Sequence, residues 1–573
     1  MQATAASPWP RAPGAPGACS TPLAAAPWHW ALALGAGLAQ AASLALPGSG
    51  APAWWLQLLS LAALAWLVRP GTQPRRGAAL AFVFTTAWLA GTFWWLFISM
   101  HTYGGLAAPL AVLAILGLAA FLASYYAAVL GLFCTLAHTS RALAALVFGA
   151  CWLLAELARG VWWTGFPWGA GGYAHVDGPL AALARSVGVY GLGCAAAVLA
   201  MLLAQLRASD VRSLRAWALV AGVAAALLAL HAQRQRALDL PETHAATAAP
   251  LTLALLQGFI PQDEKFQPGS GVPMALQWYG EQLRSAQAQL VVAPETAVAL
   301  LPEQLPPGYL DAITQRYTQE VRSGQGRQAS EGGGQAEQAG QAALVGIPLG
   351  SLEAGYTNAV LGWKPGALQP YRYDKHHLVP FGEFIPPLFR WFTELMHIPL
   401  GDFSRGALVQ PPFEFRGQRL APNICYEDLF GEELGARFAD PASAPTVFVN
   451  LSNIGWFGNT LAIDQHLAIS RMRAIEFERP MVRATNTGAT AIIDHRGSVL
   501  QQLPRERRGV LLGQVQGRSS APTPYAVWVS RWGLWPLWGM ALLVVLAAAL
   551  HSRRARQRSA TAPSLAQSPC SLP

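Results

Sequence analysis

Charge is what this sequence has least of: 12% of its 573 residues are Asp, Glu, Lys or Arg, against 53% hydrophobic ones. That balance excludes an ordinary soluble protein, and the length excludes a single ordinary domain, so part of the chain resides in lipid. Cysteine is scarce too. Cys19, Cys134, Cys151, Cys194, Cys425 and Cys570 form no CxxC pair; three lie in or beside apolar runs and two in the terminal tails. This excludes a disulfide framework and a zinc site, and leaves Cys425 a free thiol by default. A cleavable signal is missing as well, because the first 26 residues lack a basic segment followed by an apolar one, so the first apolar run is expected to remain as an anchor. The formal net charge of +9 comes from arginines clustered beside apolar runs, not along one soluble face. That argues against nucleic acid as a partner and for membrane topology.

What is present first is apolar sequence. Seven apolar runs cover roughly 27–46, 51–68, 78–100, 106–137, 142–158, 189–207 and 214–231, and an eighth, with WPLWGMALLVVLAAAL, covers about 532–551. Each is near the ~20 residues that a helix needs to cross a bilayer, so eight transmembrane helices are expected. Arg69, Arg75 and Arg76, then Arg141, then Arg207, Arg212 and Arg215, then Arg553, Arg554, Arg556 and Arg558 fall on one side, whereas the turns GSGAP and HTYGG on the other carry no basic residue. By the excess of basic residues in inner loops, both termini are cytoplasmic and the long region after the seventh run faces outside. The expected division is a tail over 1–26, a membrane domain over 27–231, an outer domain over 232–530, an eighth helix over 531–552 and a tail over 553–573.

The outer region has another texture. Short β-rich runs such as LTLALLQG, QLVVAPE, AALVGIPLGS, NAVLGW, TVFVNLSN and TAIIDHRGSVLQQL stand between Gly, Pro and Asn breakers. Helix-like stretches, PMALQWYGEQLRSAQAQ and IDQHLAISRMRAIEFE, alternate with them, which predicts a layered α/β domain. The Gly- and Gln-rich segment over 323–342 reads as a surface insertion.

Three ionisable residues of this domain lie at or just after predicted strand ends: Glu295 in LVVAPETA, Lys375 in YRYDKHHLVPFGEF and Cys425 in PNICYED. Strand ends are where α/β domains place reactive groups. A carboxylate, an ammonium and a thiol make one chemistry together: the carboxylate takes the thiol proton, the thiolate attacks a carbonyl, and the ammonium stabilises thiolate and oxyanion. His376 and His377 are adjacent, so their side chains diverge, and no metal site or cofactor is expected from them.

APETA, the run from Lys375 to Glu383 and N-x-C-Y-E from Asn423 to Glu427 together resemble the nitrilase superfamily. The eight-helix frame and the motif TGFPWGAGGYAHVDGPLA from Thr164 narrow the resemblance to its membrane-bound branch, the apolipoprotein N-acyltransferases, over about residues 25–550. That resemblance implies an αββα sandwich outside the membrane and a catalytic triad of Glu295, Lys375 and Cys425. It implies supporting roles for Glu383, Tyr426 and Glu427, and places Gly165 and Trp168 near the mouth of the site. Phe266, standing where many relatives have Trp, and Trp456 are read as substrate or lipid contacts. Phe389 and Trp391 belong to FIPPLFRWFTELMHIPL, Phe384 to Leu400, which reads either as an interfacial lid or as a helix packed on the domain. The implied reaction is ping-pong in a bacterial inner membrane, with the catalytic domain in the periplasm. An acyl chain passes from a phospholipid, typically phosphatidylethanolamine, through a cysteine thioester to the α-amino group of a diacylated apolipoprotein. The alternative is a membrane-anchored nitrilase-type amidohydrolase, since the same triad serves water as acceptor; the helical frame and the TGFPW loop weigh against it. A non-catalytic scaffold or transporter is opposed by the intact triad and by the near absence of charge within the helices, Glu156 excepted.

Overall fold

Every apolar run expected to cross a membrane is helical in the structure, a computed structural model that describes residues 26–136, 140–207, 209–239, 248–319, 340–386 and 403–561. Phe389, Trp391 and nearly all of the two segments at 323–342 and 384–400 lie outside the described residues. The helices are α1 (Pro27–Leu44), α2 (Trp54–Leu67), α3 (Pro74–Phe93), α4 (Ala108–Thr135), α5 (Arg141–Val161), α6 (Ala181–Ala204) and α7 (Leu214–Asp239), with a last one over Trp535–Thr561. Proline in the first turn starts α1, α3 and α4, where its missing N–H costs nothing. Ser140 caps α5 by accepting from the Leu143 N–H at 3.1 Å. By length and composition four helices are fit to cross a membrane: Ala108–Thr135, Arg141–Thr164, Ala181–Ala204 and Trp535–Gln557. Their outward faces carry exposed apolar side chains, Leu113 and Leu543 among them, which suits a lipid surround and not water.

Several helix limits differ from the apolar runs, most of all those of the sixth, seventh and last helices. The seventh helix continues to Asp239 and the last to Thr561, because HAQRQRAL and HSRRARQR are good helix formers that extend the backbone beyond the apolar segment. The sixth begins at Ala181 and breaks at Gly188, whose φ of +66° only glycine adopts cheaply.

The α/β domain has two six-stranded sheets. The first has the order β12-β1-β2-β3-β4-β5, built from β1 (Leu251–Gln257), β2 (Leu290–Ala293), β3 (Ala342–Ser351), β4 (Gly355–Trp363), β5 (Tyr371–Asp374) and β12 (Gly509–Val515). The second has the order β11-β10-β9-β8-β7-β6, from β6 (Phe413–Phe415), β7 (Gln418–Ile424), β8 (Val447–Ser452), β9 (Met481–Thr485), β10 (Ala491–Ile493) and β11 (Val499–Gln502). In each, three central strands run parallel and the flanking ones antiparallel. Helices α8 (Gly271–Ser285) and α9 (Tyr309–Thr318) join the parallel strands of the first sheet, and α10 (Gly431–Ala436) and α11 (Leu461–Phe477) those of the second.

The period of two along a strand sorts the side chains. Leu253 and Leu255 of β1 meet Leu420, Val449 and Val482 of the other sheet, while Ala254 and Leu256 face Ala275 and Tyr279 of α8. On the far side Phe448 and Met481 pack on Ala474 and Phe477 of α11. Helices therefore cover both outer faces of a sandwich. The acidic run after Cys425 forms a 3-10 turn over Cys425–Leu429 followed by the short α10. Gly431 divides them, lying against the Arg473 guanidinium with no room for a side chain.

Candidate active site

Three strand ends converge. Glu295 follows β2 by two residues, Lys375 follows β5 directly, and Cys425 follows β7 directly. Lys375 Nζ lies 3.3 Å from Glu295 Oε1 and 2.9 Å from the Glu383 carboxylate, and all three side chains are buried. A buried ion pair is tolerable only when its remaining atoms are satisfied, and here they are. Asn358 Nδ2, on β4, donates to Glu295 Oε1 and to Glu383 Oε1, both at 2.7 Å. The Asn453 N–H donates to Glu295 Oε2 at 2.8 Å, and the Val379 N–H to Glu383 Oε2 at 2.8 Å.

Cys425 has φ +51°, a left-handed conformation that costs a side-chain-bearing residue of order 1 kcal/mol and is a mark of functional turns. It lies within electrostatic reach of both Glu295 and Lys375. Burial pushes its thiol up to about 12, with Glu295 adding to the shift and Lys375 opposing it. For Glu295, burial favours the neutral acid, but Lys375, the Asn358 amide and Lys265 outweigh it and hold the carboxyl below its ordinary value. Burial likewise disfavours the Lys375 ammonium, and Glu383 and Glu295 outweigh it and hold the amine above its ordinary value. The resting site is thus a neutral thiol beside an ionised carboxylate and a fixed ammonium. A carboxylate able to take a proton, a thiol and an ammonium able to face a negative charge stand together.

Tyr426 and Glu427 are buried and act through the backbone. Glu427 accepts from the N–H groups of Ile424 at 2.6 Å, His376 at 2.7 Å and His377 at 3.3 Å, and from the Tyr373 hydroxyl at 2.8 Å. One carboxylate thereby ties the nucleophile turn to the loop that carries Lys375. His376 Nδ1 pairs with the Gly406 carbonyl and His377 Nδ1 with Glu433, both at 2.8 Å, so the two rings diverge as expected.

The loop after α5 forms the other wall. Arg159 donates to the carbonyls of Phe166 at 2.9 Å and Trp168 at 2.8 Å, and Glu156, fully buried in α5, accepts from the Gly171 N–H at 2.8 Å. The Tyr426 hydroxyl donates to the Gly165 carbonyl at 3.2 Å. Trp168 is buried against Trp95, Phe457 and His466, so it packs the joint between the two parts and does not line an open mouth. Phe266 and Trp456 stack at 6.4 Å, with Lys265 Nζ 5.8 Å from the Phe266 ring.

Asn358 and Lys265 are the site residues that the sequence reading missed. Asn358 is a polar residue within NAVLGW, a run whose strand pattern hides it. Lys265 has a detectable signal: the chain contains only three lysines, Lys265, Lys364 and Lys375, and two of them are buried at this site. Lys265 Nζ donates to the Glu295 carbonyl at 3.1 Å.

Comparison with known proteins follows the same division. A family model described as the apolipoprotein N-acyltransferase N-terminal domain matches residues 36–202, and one described as carbon-nitrogen hydrolase matches 252–525. An apolipoprotein N-acyltransferase from Verminephrobacter eiseniae is 64% identical over 521 residues, covering 88% of this chain and 94% of the relative. One from Ralstonia nicotianae is 46% identical over 510 residues, covering 88% and 90%. Among solved structures, a carbon-nitrogen hydrolase from Helicobacter pylori aligns with 51% of this chain and 95% of its own at 13% identity and a TM-score of 0.33.

Proposed function

The chain belongs to the apolipoprotein N-acyltransferase family, and from that premise we propose that it moves an acyl chain from a membrane phospholipid, through a thioester on Cys425, to the N-terminal amine of a diacylated apolipoprotein. Glu295 takes the Sγ proton as sulfur attacks the donor's ester carbon. Lys375 Nζ and the Tyr426 N–H meet the oxyanion. Collapse breaks the C–O bond, and Glu295 returns the proton to the departing glycerol oxygen, leaving a lysophospholipid and an S-acyl cysteine. The acceptor amine then attacks the thioester, and its proton passes through Glu295 to the leaving sulfur. A thioester suits this division because it is a better acyl donor to an amine than the oxygen ester from which it forms.

The observation that carries this reading over hydrolysis is the contact between the two parts at the nucleophile: Tyr426, next to Cys425, bonds to Gly165 of the membrane loop. A nucleophile whose turn is bonded to a loop of the membrane part suits lipid-borne substrates better than water as acceptor. Glu383 fixes Lys375, Glu427 fixes the turn, and Phe266 and Trp456 flank the path of the acyl chain. The donor is phosphatidylethanolamine. Eight helices cross a bacterial inner membrane with both termini inside, over the segments 27–231 and 531–552, and the 232–530 domain works in the periplasm; the basic loops on one side support this orientation.

The test uses the full protein in detergent with a phospholipid labelled in its sn-1 chain, the wild type and Cys425→Ser being compared by intact mass and hydroxylamine release. A thioester on the wild type alone, discharged onto a diacylated lipopeptide, is the expected result. Label released only as free fatty acid in the presence of the peptide would establish the hydrolase instead.

A further inference from the structure

Beneath the nucleophile lies a wholly buried polar cluster that the reaction as described does not use: Asp428, His466, Ser470 and Arg483, all with no exposed surface. Burying two charged groups and an imidazole is costly unless they hold something in place. His466 Nδ1 lies 3.1 Å from Arg483 Nη2. A guanidinium only donates, so Nδ1 must be the accepting nitrogen and the ring's proton is on Nε2. That Nε2–H faces two acceptors, Asp428 Oδ1 at 2.8 Å and the backbone carbonyl of Cys425 at 3.3 Å. Asn450 Nδ2, anchored on Asn423 Oδ1 at 2.7 Å, reaches the same carbonyl at 3.3 Å. Asp428 is itself held by Ser470 and by Arg483, and Trp168 of the membrane loop stacks on the imidazole with ring centres 5.4 Å apart.

The Cys425 carbonyl belongs to the peptide whose other end is the Tyr426 N–H. A peptide is planar and trans, so its C=O and N–H point in opposite directions. Donors that fix the carbonyl on one side therefore aim the N–H on the other. As an early residue of the 3-10 turn, Tyr426 has an N–H that no carbonyl of that turn can satisfy, which leaves it free to serve an oxyanion. We propose that His466, its tautomer locked by Arg483 and its ring covered by Trp168, is a positioning residue that together with Asn450 orients the Tyr426 N–H toward the oxyanion of the tetrahedral intermediate. This rests on the reading of Cys425 as the acylated nucleophile. It gives the membrane loop a role in the chemistry, because Trp168 forms the lid of the cluster that sets the oxyanion donor.

The test compares two reactions of the same thiol in the full-length protein in detergent. Alkylation by iodoacetamide is displacement at a tetrahedral carbon and creates no oxyanion, whereas acylation by phosphatidylethanolamine labelled in the sn-1 chain passes through one. His466→Leu is expected to alkylate Cys425 at the wild-type rate and to acylate it roughly 10²–10³-fold more slowly, the scale of one lost oxyanion donor, with the KM for phospholipid unchanged. His466→Gln, whose amide nitrogen reaches a similar point, should recover much of the acylation rate. Asn450→Ala supplies an independent variant, expected to show the same split if the leucine variant fails to fold. Parallel loss of both reactions, or loss of neither, overturns the proposal. Wild-type label that maps elsewhere than Cys425 refutes the underlying reading instead.

Discussion

Lys375 is bound more closely to Glu383 than to Glu295, at 2.9 Å against 3.3 Å. The residue expected to be auxiliary is therefore the firmer electrostatic anchor of the ammonium. A lysine paired only with the base would neutralise it; one drawn off by a second carboxylate leaves Glu295 free to take a proton.

Glu383→Gln removes that anchor while keeping an oxygen for the Val379 N–H. The ammonium then settles on Glu295, and thioester formation is expected to fall roughly 10²–10³-fold in kcat, the scale of one displaced oxyanion partner, with little change in the KM for phospholipid. Rapid-quench intact mass on the labelled donor reads both. A rise in KM at unchanged kcat would assign Glu383 to donor binding instead.

Asn358 carries the two carboxylates on one nitrogen, and its amide is among the groups holding Glu295 below its ordinary value. Asn358→Asp removes the donor and adds a like charge, so the Glu295 value rises. Since the first half-reaction needs Glu295 ionised, activity is lost as pH falls through that value. The acid limb of the pH profile for acylation should move upward by roughly a unit or more. An unmoved limb would exclude Glu295 as the titrating base.

Much of this site was legible in the sequence because its three ionisable residues stand at or just after strand ends, two of them behind apolar runs that are easy to read, RLAPNI before Cys425 and LVVA before Glu295, while Lys375 follows the polar strand YRYD. Strands β6, β9 and β12 were missed for physical reasons. FEF is too short to show a period, MVRAT carries an arginine that is buried, and GVLLGQV alternates weakly between two glycines. Asn358 was invisible for a related reason: alternation shows which face a strand residue takes, not which two carboxylates, 88 positions apart along the chain, meet on that face.

Glu427 accepts four hydrogen bonds and reaches no reacting atom. Glu427→Gln replaces one accepting oxygen with an amide that faces donors, a mismatch worth about 1–3 kcal/mol. The expected outcome is a lower Tm together with slower alkylation of Cys425, because the turn and the Lys375 loop separate. An unchanged Tm with lost activity would give Glu427 a direct part in substrate handling.

Lys265 offers a test by stability. Burial, only partly offset by Glu295 and Cys425, brings its amine down to about 7 from an ordinary 10.5. The folded protein therefore bears the full cost of a buried ammonium below pH 7. From about pH 7 to 10.5 the unfolded chain binds a proton that the folded chain does not, so this group's contribution to stability improves as pH rises, by at most about 1.4 kcal/mol per unit. Lys265→Met lacks the titration. The stability of the wild type relative to the variant should grow between pH 7 and 10, measured by unfolding in detergent, and a difference that is flat with pH would mean that Lys265 stays charged.

Gly165 joins the membrane loop to the catalytic turn, and its conformation demands glycine twice over. Its φ is +76°, and a Cβ there would collide with the carbonyl oxygen of Gly160. Its own carbonyl accepts from the Tyr426 hydroxyl, beside the nucleophile. Gly165→Ala must shift the loop to relieve the collision, and the shift passes to Tyr426. A displacement of about 1 Å at a reacting centre costs roughly 10²-fold in rate. Acylation of Cys425 should therefore fall on that scale, although position 165 touches neither the triad nor its hydrogen-bond partners. The comparison that decides the point is Tyr426→Phe, which removes only the hydroxyl. If the loop acts through that bond, the two variants slow acylation by similar factors and the double variant is no slower than Gly165→Ala alone; additive losses would mean that the loop acts on the site by another route.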